Sequence, residues 1–290
     1  MRTTCKAIFL GTAAVICFGP LAVLAQNGGA SSGYPVPKDD LTPSEQRGHG
    51  LYRRYCIGCH GVEGDGNGDN APYIDPKPRD FTVATFKCRS TPTGTLPVDS
   101  DLIHSLERGL RGSNMPSWLP LTPEDRIDLV AYIKTFSPKW KKEKPGTPIQ
   151  IPPEPEVTAE RLKAGQELFK RMECWKCHGV LGHGNGPSAS TLTDDKERPI
   201  PPYDFSTGHK FKCGSSDRDL YQIFMTGLDG TPMPSFADNI NPDQAWDLVF
   251  YLRTFQPMKS KEKAIAKQLG LKPIDPSAPN APVAPAQPNQ

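Results

Sequence analysis

Two pentapeptides of one form, Cys56-Ile57-Gly58-Cys59-His60 and Cys174-Trp175-Lys176-Cys177-His178, stand 118 residues apart. Two thiols three positions apart can each add across a vinyl group of a haem, and the histidine beside the second thiol is then held under the iron as an axial ligand. One such pentapeptide arises readily by chance. Two, each followed by the same later residues, point to two covalently bound haem c groups on Cys56, Cys59, Cys174 and Cys177, with His60 and His178 on the iron.

The open face of each iron needs a second ligand, and the two copies agree on a candidate. Met115 and Met233 each lie 59 positions after the first cysteine of their own motif, and each is followed by Pro-Ser and an aromatic residue, Trp118 or Phe236. Proline holds the residue before it extended, which presents the thioether without a local backbone hydrogen bond. The alternative is that both methionines only fill core space. Met172, Met225 and Met258 have no such matched setting and read as packing or surface residues. His49, His104, His183 and His209 have no counterpart in the other copy, which leaves a second imidazole as the lesser alternative. Thioether stabilises ferrous iron, and a centre closed by two protein ligands passes electrons while offering substrate no position.

The residues that must position these groups also repeat. Thr42-Pro43-Ser44-Glu45 supplies a capping hydroxyl, a proline tolerated in the first turn and a reciprocal acceptor, so a helix is predicted ahead of Cys56 with Leu51, Tyr52 and Tyr55 on it. Its counterpart starts at Thr158; Leu168 and Phe169 match Leu51 and Tyr52, with one extra residue before Cys174. Gly48 and Gly165, at matched positions, predict a close helix crossing. Glycine-rich turns over residues 61–68 and 179–186 are expected to bring backbone to the porphyrin edge; they lack the Gly-Lys-Ser/Thr ending of a phosphate loop.

Further on, Pro78-Arg79-Asp80-Phe81 and Phe86-Lys87-Cys88 are echoed by Pro202-Tyr203-Asp204-Phe205 and Phe211-Lys212-Cys213. Arg79 is a candidate for a haem propionate, although Tyr203 stands in its place in the second copy. Cys88 and Cys213 either form an inter-module disulfide or stay as two buried thiols; equivalence alone does not decide. Short helical patterns over 102–110 and 220–228 precede the methionines. Each copy closes with an amphipathic helix, from Pro123 and from Pro242. Leu129, Val130, Ile133 and Phe136, and Leu248, Val249, Leu252 and Phe255, recur at three- and four-residue steps and predict one buried face each. Trp246 is expected to pack over its haem.

Arg2, Lys6, an apolar run and Val23-Leu24-Ala25 predict a secretory signal peptide over residues 1–25, with an uncleaved anchor as the lesser alternative, followed by a flexible leader over 26–40. A first domain is expected over 41–138, a basic then proline-rich linker over 139–157, a second domain over 158–257, and a polar helix with a disordered Pro/Ala tail over 258–290. The fold expected is all-α. A chain of 290 residues with 32 prolines is too long for one small domain and suits two. Cleavage would take two of the 34 basic residues and leave 32 against 32 acidic ones, a balance that argues against nucleic acid. No segment after the signal is apolar enough to span a membrane, so the periplasm or an equivalent exported compartment is expected, with any membrane association through a partner complex.

Cys-x-x-Cys-His, a later Met-Pro and a closing amphipathic helix, present twice, resemble the class I cytochrome c fold over residues 42–136 and 158–255. The two-module order is similar to dihaem cytochromes such as the cytochrome c4 family. The Arg-Asp-Phe and Phe-Lys-Cys blocks depart from that family and resemble cytochrome subunits of bacterial respiratory oxidoreductase complexes. The resemblance implies two covalent haems and iron ligation by His60, Met115, His178 and Met233. It implies a periplasmic electron carrier between a donor oxidoreductase complex and an acceptor cytochrome or oxidase, without catalysis of its own. The alternative is a dihaem enzyme, peroxidase-like or sulfur-compound-oxidising, in which a distal methionine is displaced.

Overall fold

Thr42 and Glu45 exchange hydrogen bonds: the threonine hydroxyl accepts the Glu45 amide at 3.3 Å and the glutamate accepts the Thr42 amide at 2.7 Å. From this capping box the first helix, α1, runs Pro43–Tyr55. The computed structural model describes residues 40–208, 211–257 and 259–278; the signal and leader calls on residues 1–39, His209, Met258 and the tail beyond 278 lie outside them. A one-turn helix α2 (Ile57–His60) follows, then α3 (Asp99–Arg108), α4 (Pro123–Lys134) and α5 (Lys139–Lys142). The order returns as α6 (Ala159–Arg171), α7 (Trp175–His178), α8 (Asp217–Thr226) and α9 (Pro242–Phe255), before α10 (Lys261–Gln268). Among the described residues the β-structure amounts to one isolated bridge, Thr193 to Pro199, so the fold is all-α with two helical modules.

Each module is held by the crossing of its first and closing helices. A Cβ added to Gly48 would sit 2.0 Å from the Asp128 carbonyl oxygen, and one added to Gly165 would sit 2.0 Å from that of Asp247. Backbone meets backbone there, so nothing flexible can give way. Arg47 on α1 clasps the Asp128 carboxylate at 2.6 and 2.9 Å, and Arg161 on α6 reaches Asp247 at 2.7 Å. We expect Gly48→Ala and Gly165→Ala each to cost about 3 kcal/mol or more, seen as a lower denaturation midpoint; an unchanged midpoint would contradict the crossing.

One expectation is corrected. The closing helices do not each bury a single face. In α9 every residue from Ala245 to Arg253 is buried, whereas Ile127 on α4 is 52% exposed. The reason lies outside the repeat: α10 packs on α9, and Ile149, Ile151, Val157, Leu271 and Ile274 join the second core.

Residues 143–158 form no helix or strand. The Gly146 amide donates to the Leu96 carbonyl at 3.0 Å and the Ile149 amide to that of Ser90 at 2.8 Å, while Ile149, Ile151 and Val157 enter the second core. This segment is therefore strapped to both modules.

The modules are also joined covalently. Cys88 and Cys213, 125 residues apart in sequence, form a disulfide. Beside it the Arg89 side chain is wholly buried. Its Nη2 donates to the Thr226 carbonyl at 2.5 Å and to Asp229 at 2.7 Å, both in the second module, and its Nη1 donates to the Phe86 carbonyl at 3.1 Å. Asp229 also accepts from the Thr93 hydroxyl and the Gly94 amide, and Gln222 donates back to the Arg89 carbonyl at 3.0 Å.

Candidate haem sites

Cys56 ends α1 and opens α2. Its amide donates to the Tyr52 carbonyl at 2.8 Å, and its own carbonyl accepts the amides of Cys59 at 3.1 Å and His60 at 2.9 Å. In the second module the Cys174 amide donates to the Phe169 carbonyl at 3.1 Å, and the Cys174 carbonyl accepts Cys177 at 3.3 Å and His178 at 2.9 Å. Tyr52 and Phe169 are the matched pair, so the extra residue of the second copy has been absorbed without moving the motif. Glu173 takes it up in the left-handed region, with φ +56°. That conformation strains a residue with a side chain, and the exposed Glu173 to Lys176 ion pair returns little. Glu173→Gly is expected to stabilise the protein by roughly 0.5–1 kcal/mol, read as a raised denaturation midpoint with an unchanged visible spectrum.

The imidazoles are set from both sides. His60 Nδ1 donates to the Arg79 carbonyl at 2.9 Å and His178 Nδ1 to the Tyr203 carbonyl at 2.9 Å. A carbonyl only accepts, so the proton is on Nδ1 and the Nε2 lone pair is left for a metal. The matched position thus carries arginine in one copy and tyrosine in the other without conflict, because the shared group is the main chain. The Arg79 side chain extends toward Asp195 of the second module, at 4.0 Å. Phe81 stacks 4.5 Å from the His60 ring and Phe205 lies 4.6 Å from the His178 ring. Burial lowers both histidine pKa values, which favours the neutral, ligating form.

Cys56, Cys59, Cys174 and Cys177 are all free thiols. Burial pushes Cys56 and Cys174 up to about 12. The methionine loops are pinned alike. The Met115 amide donates to Ser113 Oγ at 3.3 Å and its carbonyl accepts the Leu110 amide at 3.1 Å; for Met233 the partners are Thr231 Oγ1 at 3.2 Å and the Leu228 amide at 3.1 Å. The Trp118 amide then donates to the Leu106 carbonyl at 2.7 Å and the Phe236 amide to that of Phe224 at 2.8 Å. Ser117 and Ser235 donate their hydroxyls to the Glu107 and Met225 carbonyls. Gly109 and Gly227 have φ +66° and +68°, and each lies where a Cβ would strike the methionine loop. Met115 packs on the core holding Cys56 and Phe81, and Met233 on the core holding Phe205, against which Cys174 also packs.

The glycine turns are pressed against protein: Gly64 meets the Phe136 ring and Gly182 the Phe255 ring. Trp246 is buried between Tyr221, at 5.0 Å, and Phe250, at 6.1 Å. His49 packs on Tyr132, His104 is exposed, and the exposed His183 contacts Ser206.

These groups fit a haem in each module. Four free thiols sit at one-turn helices, each imidazole keeps its far nitrogen free, and each module holds a thioether on a pinned loop. The buried indole N–H groups of Trp118, Trp140 and Trp246 find no acceptor among the described residues, which marks polar surface that a further group can satisfy. Among the described residues no three His, Cys, Asp or Glu converge on a bare-metal site. One imidazole and one thioether per module are the two ligands that a porphyrin-bound iron still takes.

Comparison with known proteins places these modules. Residues 43–133 match the family model described as Cytochrome C oxidase, cbb3-type, subunit III, and residues 162–256 match the model described as Cytochrome c. A chain of the Kuenenia stuttgartiensis reducing HAO-like protein complex Kustc0457/Kustc0458 is 42% identical; the match covers 73% of this chain and 96% of that one, with a TM-score of 0.71. No curated protein matches the chain. With that identity spanning almost the whole of a solved relative, and both of its own modules matching cytochrome models, the chain belongs to the c-type cytochromes, as a member that carries two cytochrome modules.

Proposed function

We propose that this cytochrome carries two haem c groups, one attached through Cys56 and Cys59 and one through Cys174 and Cys177, and serves as an exported electron carrier or electron-transfer subunit. His60 and Met115 would hold one iron, His178 and Met233 the other. Haem supplies a one-electron couple that needs no bond to substrate. The chain's part is to fix that couple: the Arg79 and Tyr203 carbonyls hold each imidazole in its ligating tautomer, Phe81 and Phe205 lock the ring planes, and the pinned loops present sulfur. The observation that carries the reading is the duplication of this whole hydrogen-bonded setting, methionine loop included. An enzyme would need one module to differ at its distal side, and the two loops are bonded alike.

Donor and acceptor are proposed as redox proteins, a respiratory oxidoreductase and a cytochrome or oxidase. Membership of the solved relative in a protein complex supports a bound partner. Among the described residues no helix is long and apolar enough to cross a membrane, in keeping with action in the periplasm or an equivalent compartment. Carbon monoxide added to the reduced holoprotein, and cyanide to the oxidised, tests the reading. Absent or slow binding at both centres, with rapid electron exchange with a second c-type cytochrome, is expected. Fast binding at one centre together with peroxide turnover would favour the enzyme.

A further inference from the structure

The two methionine loops share their internal hydrogen bonds, but not what fastens them to the closing helix. Arg126 on α4 is buried. Its Nη1 donates to the Leu119 carbonyl at 3.1 Å and to that of Leu121, and its Nη2 donates to the Glu107 carboxylate at 3.1 Å. Glu107, near the end of α3, is engaged a second time, since its carbonyl accepts the Ser117 hydroxyl. One side chain therefore ties α3 and α4 to the stretch 117–121 that follows Met115. The Arg126 Nε, buried as well, has no acceptor among the described residues, so the other two nitrogens carry the attachment.

The second module does without this arrangement. Ala245 stands three residues after Pro242, as Arg126 stands three after Pro123, and Met225 stands eight before Met233, as Glu107 does before Met115. Both halves of the ion pair are thus missing together. Ala245 is wholly buried, and Ser235 keeps its bond to the Met225 carbonyl at 2.8 Å. The loop closes on itself, with the Asn239 and Ile240 amides donating to the Phe236 carbonyl at 2.9 and 3.0 Å. Because α6 and α9 cross as α1 and α4 do with alanine in place, the fold of a module does not require a cation there. A buried cation is costly to desolvate, and what Arg126 gains in return is bonds to the methionine loop. Reaching two carbonyls and a carboxylate at once suits a planar guanidinium and not an ammonium.

We propose that Arg126 is a positioning residue for Met115: it clamps the loop that presents sulfur in the first module, while the second holds Met233 without such a clamp. This rests on the dihaem reading above, in which Met115 closes one iron. Releasing the clamp then opens one distal face and leaves the other shut.

The test titrates the oxidised holoprotein of the parent, Arg126→Ala, Arg126→Lys and Glu107→Gln with imidazole, which competes with thioether for iron, and follows the near-infrared sulfur-to-iron band. In Arg126→Ala imidazole is expected to bind one centre about tenfold more tightly, or about 1.4 kcal/mol, the low end for one hydrogen bond to a charged group. That centre should lose its band at imidazole concentrations that leave the parent unchanged, and the other centre should keep the parent's affinity. Arg126→Lys should fall between, and Glu107→Gln, which keeps both bonds to the loop carbonyls, should fall nearer the parent. The amides of Trp118 and Leu121 should exchange hydrogen faster in Arg126→Ala and Arg126→Lys, while those of Phe236 and Ile240 stay as they were. Parent affinity at both centres in every variant would show that the loop holds without the arginine, and an equal gain at both centres would show a general loosening; either overturns the clamp. If Arg126→Ala does not fold, Arg126→Lys and Glu107→Gln decide by the same criteria. Should the parent lack the sulfur-to-iron band, the ligand reading falls by itself, and faster exchange confined to Trp118 and Leu121 in Arg126→Lys still decides the clamp.

Discussion

Arg89→Ala is expected to destabilise the protein by about 3 kcal/mol, the lower end for breaking a buried pair, since Asp229 keeps slight exposure. The change leaves the buried Thr226 carbonyl without this donor and Asp229 with only the neutral donors Thr93 and Gly94. For a chain of this size that is a fall in melting temperature of roughly 6–10 °C, and the visible spectrum of the holoprotein should stay as it was, because Arg89 touches neither candidate site. Removing the disulfide as Cys88→Ser/Cys213→Ser should cost up to about 5 kcal/mol, the chain-entropy value for a loop of this length. Arg89→Ala in that background should lose less than the sum if the bond is what holds the arginine in register, because its contacts are then already weakened. Additivity would show that the bond and Arg89 act independently.

Met115→His should lower the potential of the first centre by on the order of 0.2 V, a fraction of the roughly 0.8 V that axial ligands span. A second imidazole withdraws the preference of thioether for ferrous iron. Met233→His should do the same to the second centre, and each single variant should move one redox wave and leave the other nearly in place. Potentiometric titration followed in the visible region reads both. If neither variant moves a wave by more than a few hundredths of a volt, sulfur is not on the iron and these residues are packing methionines.

How much of this was legible follows from where each constraint lives. Helix starts are local: Thr42 with Glu45, Thr122 with Asp125 and Asn241 with Gln244 form reciprocal caps within four residues, so pattern alone located them. The close crossings at Gly48 and Gly165 were also readable, since a missing side chain repeated in register has few other uses. The proposed covalent attachment would confine thiols and imidazole to five residues, which is why the motif stands out. The roles of the Arg79 and Tyr203 carbonyls went unread, because a main-chain role leaves no residue type to read. Burial all round α9 depends on α10 and on Ile149 and Ile151, which lie outside the repeat. Arg89 had no signal at all: the second copy has Gly214 after its cysteine, and its partners lie about 140 residues on. The Cys88 to Cys213 pairing was left open for the same reason, since sequence equivalence states nothing about distance.

The most direct measurement is haem content per chain by alkaline pyridine spectroscopy, taken on the oxidised holoprotein together with its near-infrared absorption. Two covalent haems per polypeptide, both contributing the sulfur-to-iron charge-transfer band, is the result expected from Cys56, Cys59, Cys174 and Cys177 with Met115 and Met233. A single haem, or two haems without that band, would contradict it.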